Sequence, residues 1–150
     1  MLRSVVALVA MLVLATPATA GLTRAESSLL QEMNRVRAQS GAGALTYDAH
    51  LERAARAHSR EMLREDVFAH GAFGSRMARF EVTGTHAGEN LAWGTGSRGA
   101  ARHVVAAWLA SPGHRENLLD RTFSRVGVGA LVGPFRGFAG AHVVTADFAG

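Results

Sequence analysis

Cysteine is missing from the 150 residues, and its absence removes several kinds of function at once. Without it the chain has no disulfide bond, no thiolate ligand for zinc and no thiol nucleophile. The fold must be held by a hydrophobic core and hydrogen bonds, and hydrophobic residues make up 48% of the chain, enough to build that core. The sequence also lacks an H-E-x-x-H zinc motif and a G-x-S-x-G nucleophile elbow, which argues against two further classes of hydrolase.

Lysine is missing as well, so all 16 basic residues are arginines, and they outnumber 12 acidic residues. The resulting formal net charge of +4 is mild and is spread along the chain. Aromatic residues make up only 7% of the chain and do not alternate with a basic stripe. We therefore expect no nucleic-acid partner, and the mild positive charge suits an anionic cell surface instead.

The N-terminus has the order of regions that is typical of an export signal. Arg3 precedes an apolar run from Val5 to Ala15, and Ala18-Thr19-Ala20 forms an A-x-A cleavage site. The apolar run is shorter than a membrane span requires, which disfavours the alternative of a retained anchor. We predict a secretory signal peptide over residues 1–20 and one domain over 21–150 in a secreted or periplasmic protein.

Apolar residues at helical spacing predict five helices in the mature chain. The predicted helices cover 24–39, Asp48 to Arg64 with Asp48 as N-cap, 74–80, the stretch ending at Trp108, and the stretch beginning at Pro112. In the second of these, His58 lies on the apolar stripe and is interpreted as a hydrogen-bonded core histidine. The opposite, solvent-facing side is lined by arginines: Arg53, Arg56, Arg60 and Arg64.

The end of the chain changes to the period of β-strands. The pattern predicts two strands and a hairpin connection: Val126–Val132, Gly133–Gly137 and Ala139–Phe148. Residues 66–98 are rich in glycine and predict loops apart from the short helix, and Trp93 and Trp108 are expected in the core. Helices first and strands last, without alternation, indicate an α+β domain with an antiparallel sheet.

Three stretches with a glycine beside a histidine or glutamate hold the candidate chemistry: Phe68-Ala-His70-Gly71, Gly88-Glu89-Asn90-Leu91 and Pro112-Gly113-His114. Ser111 and Pro112 are typical of a helix N-cap and first residue, which puts His114 in the first turn, where the helix dipole favours a neutral imidazole. Two imidazoles and a carboxylate can bind a divalent metal or perform acid–base chemistry. The same spacing also fits surface or capping residues.

Residues around this set have expected supporting roles. His86 precedes Glu89 by three residues and is a further candidate for the cleft. Asn90 is expected to hold Glu89 in place by hydrogen bonds to neighbouring backbone, and Glu89 to orient a histidine through an N–H···O bond. An arginine of the short helix, Arg76 or Arg79, is expected to pair with an acid at the rim.

Taken in order, the motifs resemble those of one known family. They are Leu29-x-x-x-Met33-Asn34-x-x-Arg37, Leu45-Thr-Tyr-Asp48, His58-Ser59, Phe68-x-His70, Gly88-Glu89-Asn90-Leu91-Ala92, Trp108-x-x-Ser-Pro-Gly-His114-x-x-Asn117, Phe123-x-x-Val126-Gly127-Val128-Gly129 and Asp147-Phe148. The chain resembles the CAP superfamily (cysteine-rich secretory proteins, antigen 5, pathogenesis-related 1), specifically its bacterial SCP-like extracellular domains. The resemblance extends from about Leu29 to Phe148.

The resemblance implies an α-β-α sandwich in which a central antiparallel sheet is flanked by helices. It also implies that His70, Glu89 and His114 meet in a central cavity, where some members bind zinc or another divalent cation through the two histidines. Animal and plant members add a second glutamate shortly after the tryptophan of the third helix. Ser111 stands there in this chain, so the acid–base set is incomplete and an enzyme is not expected.

These observations lead to one favoured function and two alternatives. The favoured one is a secreted, monomeric protein that binds a lipid, glycan or protein ligand at or outside the cell envelope. Its His70/His114 cleft is a candidate for divalent metal. One alternative is a metal-assisted hydrolase of peptides or glycans, in which Glu89 activates a water on that metal. The other is a protein that binds lipid or sterol.

Overall fold

The computed structural model describes residues 21–150, so the predicted signal peptide lies outside the described residues. The chain forms nine helices and strands within that range: α1 (Arg24–Gln39), β1 (Thr46–Tyr47), α2 (Ala49–Glu65), α3 (Phe73–Arg79), β2 (Ala87–Thr95), α4 (Ala101–Ala110), α5 (Pro112–Leu119), β3 (Arg125–Phe135) and β4 (Phe138–Ala149). A short 3₁₀ turn over Gly96–Gly99 joins β2 to α4. No helix between residues 21 and 150 has the length and apolarity to cross a membrane.

The four strands form one sheet in the order β1-β3-β4-β2. The three long strands are antiparallel to their neighbours, as expected, but β1 pairs with β3 in parallel over two residues. The sheet is therefore mixed, because the segment after α1 adds a short strand beside the start of β3. The α+β class predicted from the sequence is confirmed.

From Ala141 onward, strand β4 is buried on both of its faces apart from the partly buried His142, and this makes the domain three layers thick. Val144, Ala146 and Phe148 pack in one core with residues of α1, α4 and α5. Their alternate neighbour Val143 packs in a second core with Met62 of α2. Since successive side chains of a strand point to opposite faces, the sheet separates α2 from the other long helices.

The predicted loop region contains a strand that its sequence pattern did not reveal. Strand β2 spans nine residues and pairs with β4 from end to end. Two of its residues are glycines with close neighbours: a Cβ at Gly88 would lie 2.9 Å from the Phe123 ring, and one at Gly94 would lie 2.8 Å from the Cβ of Arg98. Trp93, expected in the core, is 39% exposed near the end of this edge strand.

The hairpin between β3 and β4 is tighter than predicted. Both strands continue past the expected loop, Phe135 pairs with Phe138, and the turn consists of Arg136 and Gly137 alone. Both turn residues have positive φ, 51° and 82°, which is the backbone that matches the twist of a two-residue hairpin. The N–H of Arg136 donates to the Oδ1 of Asp66 at 2.5 Å, which fastens the turn to the end of α2.

Arg37 fixes α5 against α1 from inside the protein. Its side chain is fully buried and donates to four backbone carbonyls at 2.7 to 3.0 Å: those of Gly43, Leu118, Asp120 and Phe123. Two of these carbonyls lie at the C-terminal end of α5, where the helix dipole is negative and favours a cation. The N-x-x-R motif of α1 thus holds the helix that carries His114.

Helix α2 packs directly on β3 at two glycines. A Cβ at Gly127 would lie 2.0 Å from the backbone nitrogen of Glu52, and one at Gly129 would lie 2.5 Å from the backbone carbonyl carbon of Ala55. Only a residue without a side chain fits there. The close approach lets the hydroxyl of Ser59 reach the Gly129 carbonyl at 2.8 Å and Thr145 Oγ1 at 2.9 Å.

Replacing Gly129 by alanine should therefore lower the free energy of unfolding by about 2 kcal/mol, because α2 must move away from the sheet. The matched control is Gly133→Ala in the same strand, where the new Cβ would meet only the Leu63 side chain at 3.4 Å. The control should change the free energy of unfolding by less than about 0.5 kcal/mol. Urea unfolding measures both; equal effects would contradict the packing argument.

Candidate functional site

The carboxylate of Glu89 is the centre of the candidate site. Strand β2 places it on the α2 side of the sheet, 6% exposed and directly paired with Asp147 of β4. Its Oε1 accepts a hydrogen bond from the Nδ1 of His70 at 2.6 Å, and its Oε2 accepts one from the guanidinium of Arg76. Both oxygens of this buried carboxylate are thus engaged by side chains from other elements.

His70 lies in the loop between α2 and α3, and its backbone is held from two sides. The Nε2–H of His58 donates to the carbonyl of Ala69 at 2.9 Å, and Arg76 donates to the carbonyl of His70 at 3.3 Å. The side chain of His70 is 59% exposed apart from its bond to Glu89. Because Glu89 accepts from Nδ1, the lone pair of His70 Nε2 is left for another partner.

His58 and Arg76 therefore both support the site. The sequence predicted a core histidine at His58 and an arginine at the rim, either Arg76 or Arg79. The expectation of a hydrogen-bonded core histidine at His58 is confirmed, since it is 2% exposed. Its Nε2 also lies 3.9 Å from the Oε2 of Glu89, a neighbour in space that no local pattern indicates. Of the two arginines considered, Arg76 pairs with the acid, whereas Arg79 lies over the ring of Phe80 at 5.4 Å.

His114 lies in the first turn of α5 and is tied to β2 through asparagines. Asn90 is fully buried and donates to the carbonyl of His114 at 2.8 Å. Asn117 donates at 3.1 Å both to the Glu89 carbonyl and to the Asn90 side chain. Burial, and next the nearby charge of His70, lower the pKa of His114. The lowered pKa favours the neutral imidazole of His114 near pH 7.

Ser111 and His86 match the sequence-based expectation only in part. Ser111 is the N-cap residue of α5 and Pro112 is its first residue, as predicted, but the Ser111 side chain makes no capping hydrogen bond within the described chain. His86 stacks on the ring of Phe123 with centroids 5.0 Å apart and contacts the hydroxyl of Thr122. None of the hydrogen bonds within residues 21–150 joins His86 to His70, Glu89 or His114.

Asp147 belongs to the family motif Asp147-Phe148, but the sequence did not predict a place for it in the site. It is fully buried beside Glu89, and within the described residues neither of its oxygens has a hydrogen-bond partner. The guanidinium of Arg76 comes no closer than 4.0 Å. Burial, and next the charge of Glu89, raise the pKa of Asp147 well above its usual range. The available signal was an aspartate inside the otherwise uncharged strand Val-Val-Thr-Ala-Asp-Phe.

The raised pKa of Asp147 predicts how stability changes with pH. Between the unfolded pKa and the higher native value, the folded protein binds more protons than the unfolded chain, so Asp147 makes the free energy of unfolding fall as pH rises. Asp147→Asn keeps the shape of the protonated acid and removes this loss. Between about pH 4.5 and pH 8, the free energy of unfolding of the variant should rise relative to that of the wild type by about 1 kcal/mol or more. Urea unfolding measures both.

Asp120→Asn is the control of opposite sign, because the Thr122 hydroxyl, and next the Thr122 backbone N–H, lower the pKa of Asp120. The stabilisation that ionised Asp120 gives the folded protein is present above the unfolded pKa and is lost as pH falls. At about pH 8, Asp120→Asn should therefore have a lower free energy of unfolding than the wild type. If the curves of Asp147→Asn and the wild type ran parallel over the whole range, Asp147 would not be a neutral acid in the folded protein.

The arrangement offers two imidazoles and an orienting carboxylate. Within residues 21–150, no group of three or more histidine, aspartate or glutamate side chains is placed to hold a metal ion together. Glu89 already serves His70 and Arg76. A cation bound here would thus rest on His70 and His114, with its other ligands from solvent or a bound molecule.

Comparison with known proteins gives relatives from bacteria. The Bacillus subtilis (strain 168) protein described as "Uncharacterized protein YkwD" is 34% identical over 119 residues, which are 76% of this chain and 45% of that protein. The chain thus spans less than half the length of this relative, and about a third of a second one from the same bacterium.

Solved structures match the fold. A Bacillus anthracis str. Ames extracellular protein containing an SCP domain has a TM-score of 0.70 and 27% identity, covering 83% of this chain and 39% of that one. An outer surface protein from Borrelia burgdorferi has a TM-score of 0.66 and 24% identity, covering 81% of this chain and 90% of that one. Residues 30–148 match the cysteine-rich secretory protein family, CAP. The chain belongs to this family.

Proposed function

We propose that the protein is exported and binds a ligand at or beyond the cell envelope, with a divalent cation held by His70 and His114. Its export is supported by the signal pattern of residues 1–20 and by its similarity to a protein described as extracellular. The cleft's role rests on one observation, the hydrogen bond from His70 Nδ1 to Glu89. A carboxylate that accepts from one imidazole nitrogen leaves the other unprotonated, which is how metal-binding histidines are commonly held.

The donor set fits a weakly held cation. The lowered pKa of His114 favours the neutral imidazole, the form that binds metal. Imidazole donors suit zinc, copper, iron or nickel better than calcium or magnesium. A cation bound by these two residues would supply a Lewis-acidic point for an oxygen or nitrogen of the ligand. Glu89 would then act on His70 by setting its tautomer and orientation.

The contacts of Glu89 favour binding over hydrolysis. A general base must present a free carboxylate oxygen to the water that it activates. The two oxygens of Glu89 accept from His70 and Arg76, and its side chain is only 3% exposed. Such a carboxylate is suited to positioning other groups. Ser111 stands in place of a second glutamate, and the neighbouring Asp147 is fully buried, so ligand binding remains the function we propose.

Calorimetric titration with zinc tests the cleft. We expect close to one equivalent bound at about pH 7, with affinity at least about tenfold lower in His70→Ala and in His114→Ala, since each removes one of two protein ligands. Glu89→Gln should lower the affinity by about 10-fold to 100-fold while leaving both ligands in place. His103→Ala is the control, because His103 is exposed on α4 away from these contacts. Binding that survives both ligand variants would overturn the metal proposal.

An apolar cavity favours a second candidate function, the binding of a hydrophobic chain. It has a volume of about 360 Å³ and lies between α1, the 3₁₀ turn and the outer part of β3 and β4. Its lining is mostly small or aliphatic: Ala25, Leu29, Ala101, Ala130, Val132 and Val144. A cavity of this size and polarity is suited to part of an acyl chain or sterol.

Filling this cavity should remove such binding. We expect Ala130→Phe to lower the affinity for a fluorescent fatty acid at least about tenfold, because its ring would occupy the space a ligand needs. Ala106→Phe, on the exposed side of α4, serves as the control and should bind like the wild type. Fluorescence titration of delipidated protein measures both. Equal affinity in the two variants would place the fatty acid elsewhere.

A further inference from the structure

A second, positively charged cavity lies between α2 and α3, next to the candidate site but separate from its histidines. Its volume is about 350 Å³. Four arginines and one glutamate supply its charged lining: Arg60, Glu61, Arg64, Arg76 and Arg79. Arg60 and Arg64 are exposed on α2, as the sequence predicts for its solvent-facing side. The fold also brings them near two arginines of α3.

The arginines converge because of their spacing on the two helices. Arg60 and Arg64 are four residues apart on α2, and Arg76 and Arg79 are three apart on α3, so each pair shares one face of its helix. The small side chains of Ala57, Ala72 and Ser75 lie between them and leave the cavity open. Like charges gathered in this way repel one another unless an anion is bound among them.

The acids nearby match part of this positive charge and leave Arg60 and Arg79 without an ion pair within the described residues. Glu61, the one acid of the lining, lies 3.3 Å from the Nδ1 of His58. Arg64 pairs with Glu65 at 2.8 Å, but both side chains are at least half exposed, and such pairs are weak. No ion pair within the described residues involves Arg60 or Arg79.

Arg76 forms the buried end of this lining. Its side chain is only 7% exposed and pairs with Glu89 through one terminal nitrogen. Its charge is thus matched, and the exposed Arg60, Arg64 and Arg79 supply the positive charge that an anion in the cavity would meet.

We propose that this cavity binds a phosphate monoester. Such a group carries between one and two negative charges near neutral pH and three terminal oxygens, which several guanidinium forks can bind at once. A single carboxylate offers less charge and fewer oxygens. The volume fits a phosphate with a small sugar or glycerol attached, either free or as the headgroup of a phosphatidic-acid surface. Binding there does not require metal in the histidine cleft.

The test is titration of the full chain with glycerol 3-phosphate in the presence of EDTA, which keeps it independent of the metal proposal. Arg60→Gln/Arg79→Gln should lower the affinity at least about tenfold, since both arginines line the cavity. The matched control is Arg24→Gln/Arg102→Gln, which changes the net charge equally at exposed positions of α1 and α4. This control variant should lose little affinity for glycerol 3-phosphate, because salt screens charges that lie far from the cavity.

A second arm separates the two sources of the phosphate. Phosphatidylcholine vesicles with and without phosphatidic acid are mixed with the wild type and with both double variants, and bound protein is measured by co-sedimentation. Arginine-dependent binding to phosphatidic acid would identify a lipid headgroup, whereas binding of glycerol 3-phosphate alone would identify a free ester. Equal losses in the two double variants, or no saturable binding of either probe by the wild type, would overturn the proposal.

Discussion

A carboxylate buried between a sheet and a helix layer requires compensation, and Glu89 obtains it from Arg76 and His70. Removing Arg76 would leave the Glu89 charge unpaired in a site from which water is largely excluded, which costs far more than losing a surface pair. The same guanidinium also holds the carbonyl of His70. Helix α3, the loop before it and strand β2 are therefore fixed to one another by one ion pair, and the position of His70 depends on it.

Two successive residues of β2 bind the two histidines, each from one face of this edge strand. Glu89 points toward α2 and binds the side chain of His70, and Asn90 points the other way and binds the carbonyl of His114. The alternation of a strand makes this possible without any loop between them. Arg37 completes the arrangement from the other end of α5 by binding the Leu118 and Asp120 carbonyls. The Gly-Glu-Asn motif thus works as one structural unit.

The parts of the fold that the sequence predicted well are those with one buried face. Helix α1 occupies the predicted 24–39, and Asp48 caps α2 through the N–H groups of His50 and Leu51. The sequence did not predict strand β2, because glycines interrupt the strand pattern at positions where neighbours approach closely. For the site, local motifs named His70, Glu89 and His114. The contributions of Arg76 and Asp147 arise from pairing between distant segments, which spacing along one chain does not encode.

Charge balance explains how two carboxyl groups can lie beside one arginine and why the neighbouring cavity stays positive. Arg76 matches one negative charge, that of Glu89 at bonding distance, and the raised pKa of Asp147, 4.0 Å away, favours the protonated form of that acid. Two ionised carboxylates in this space would repel and would both lack solvent. Arg76 therefore contributes little charge to the cavity between α2 and α3. The field there comes from Arg60, Arg64 and Arg79, which no buried acid neutralises within the described part of the chain.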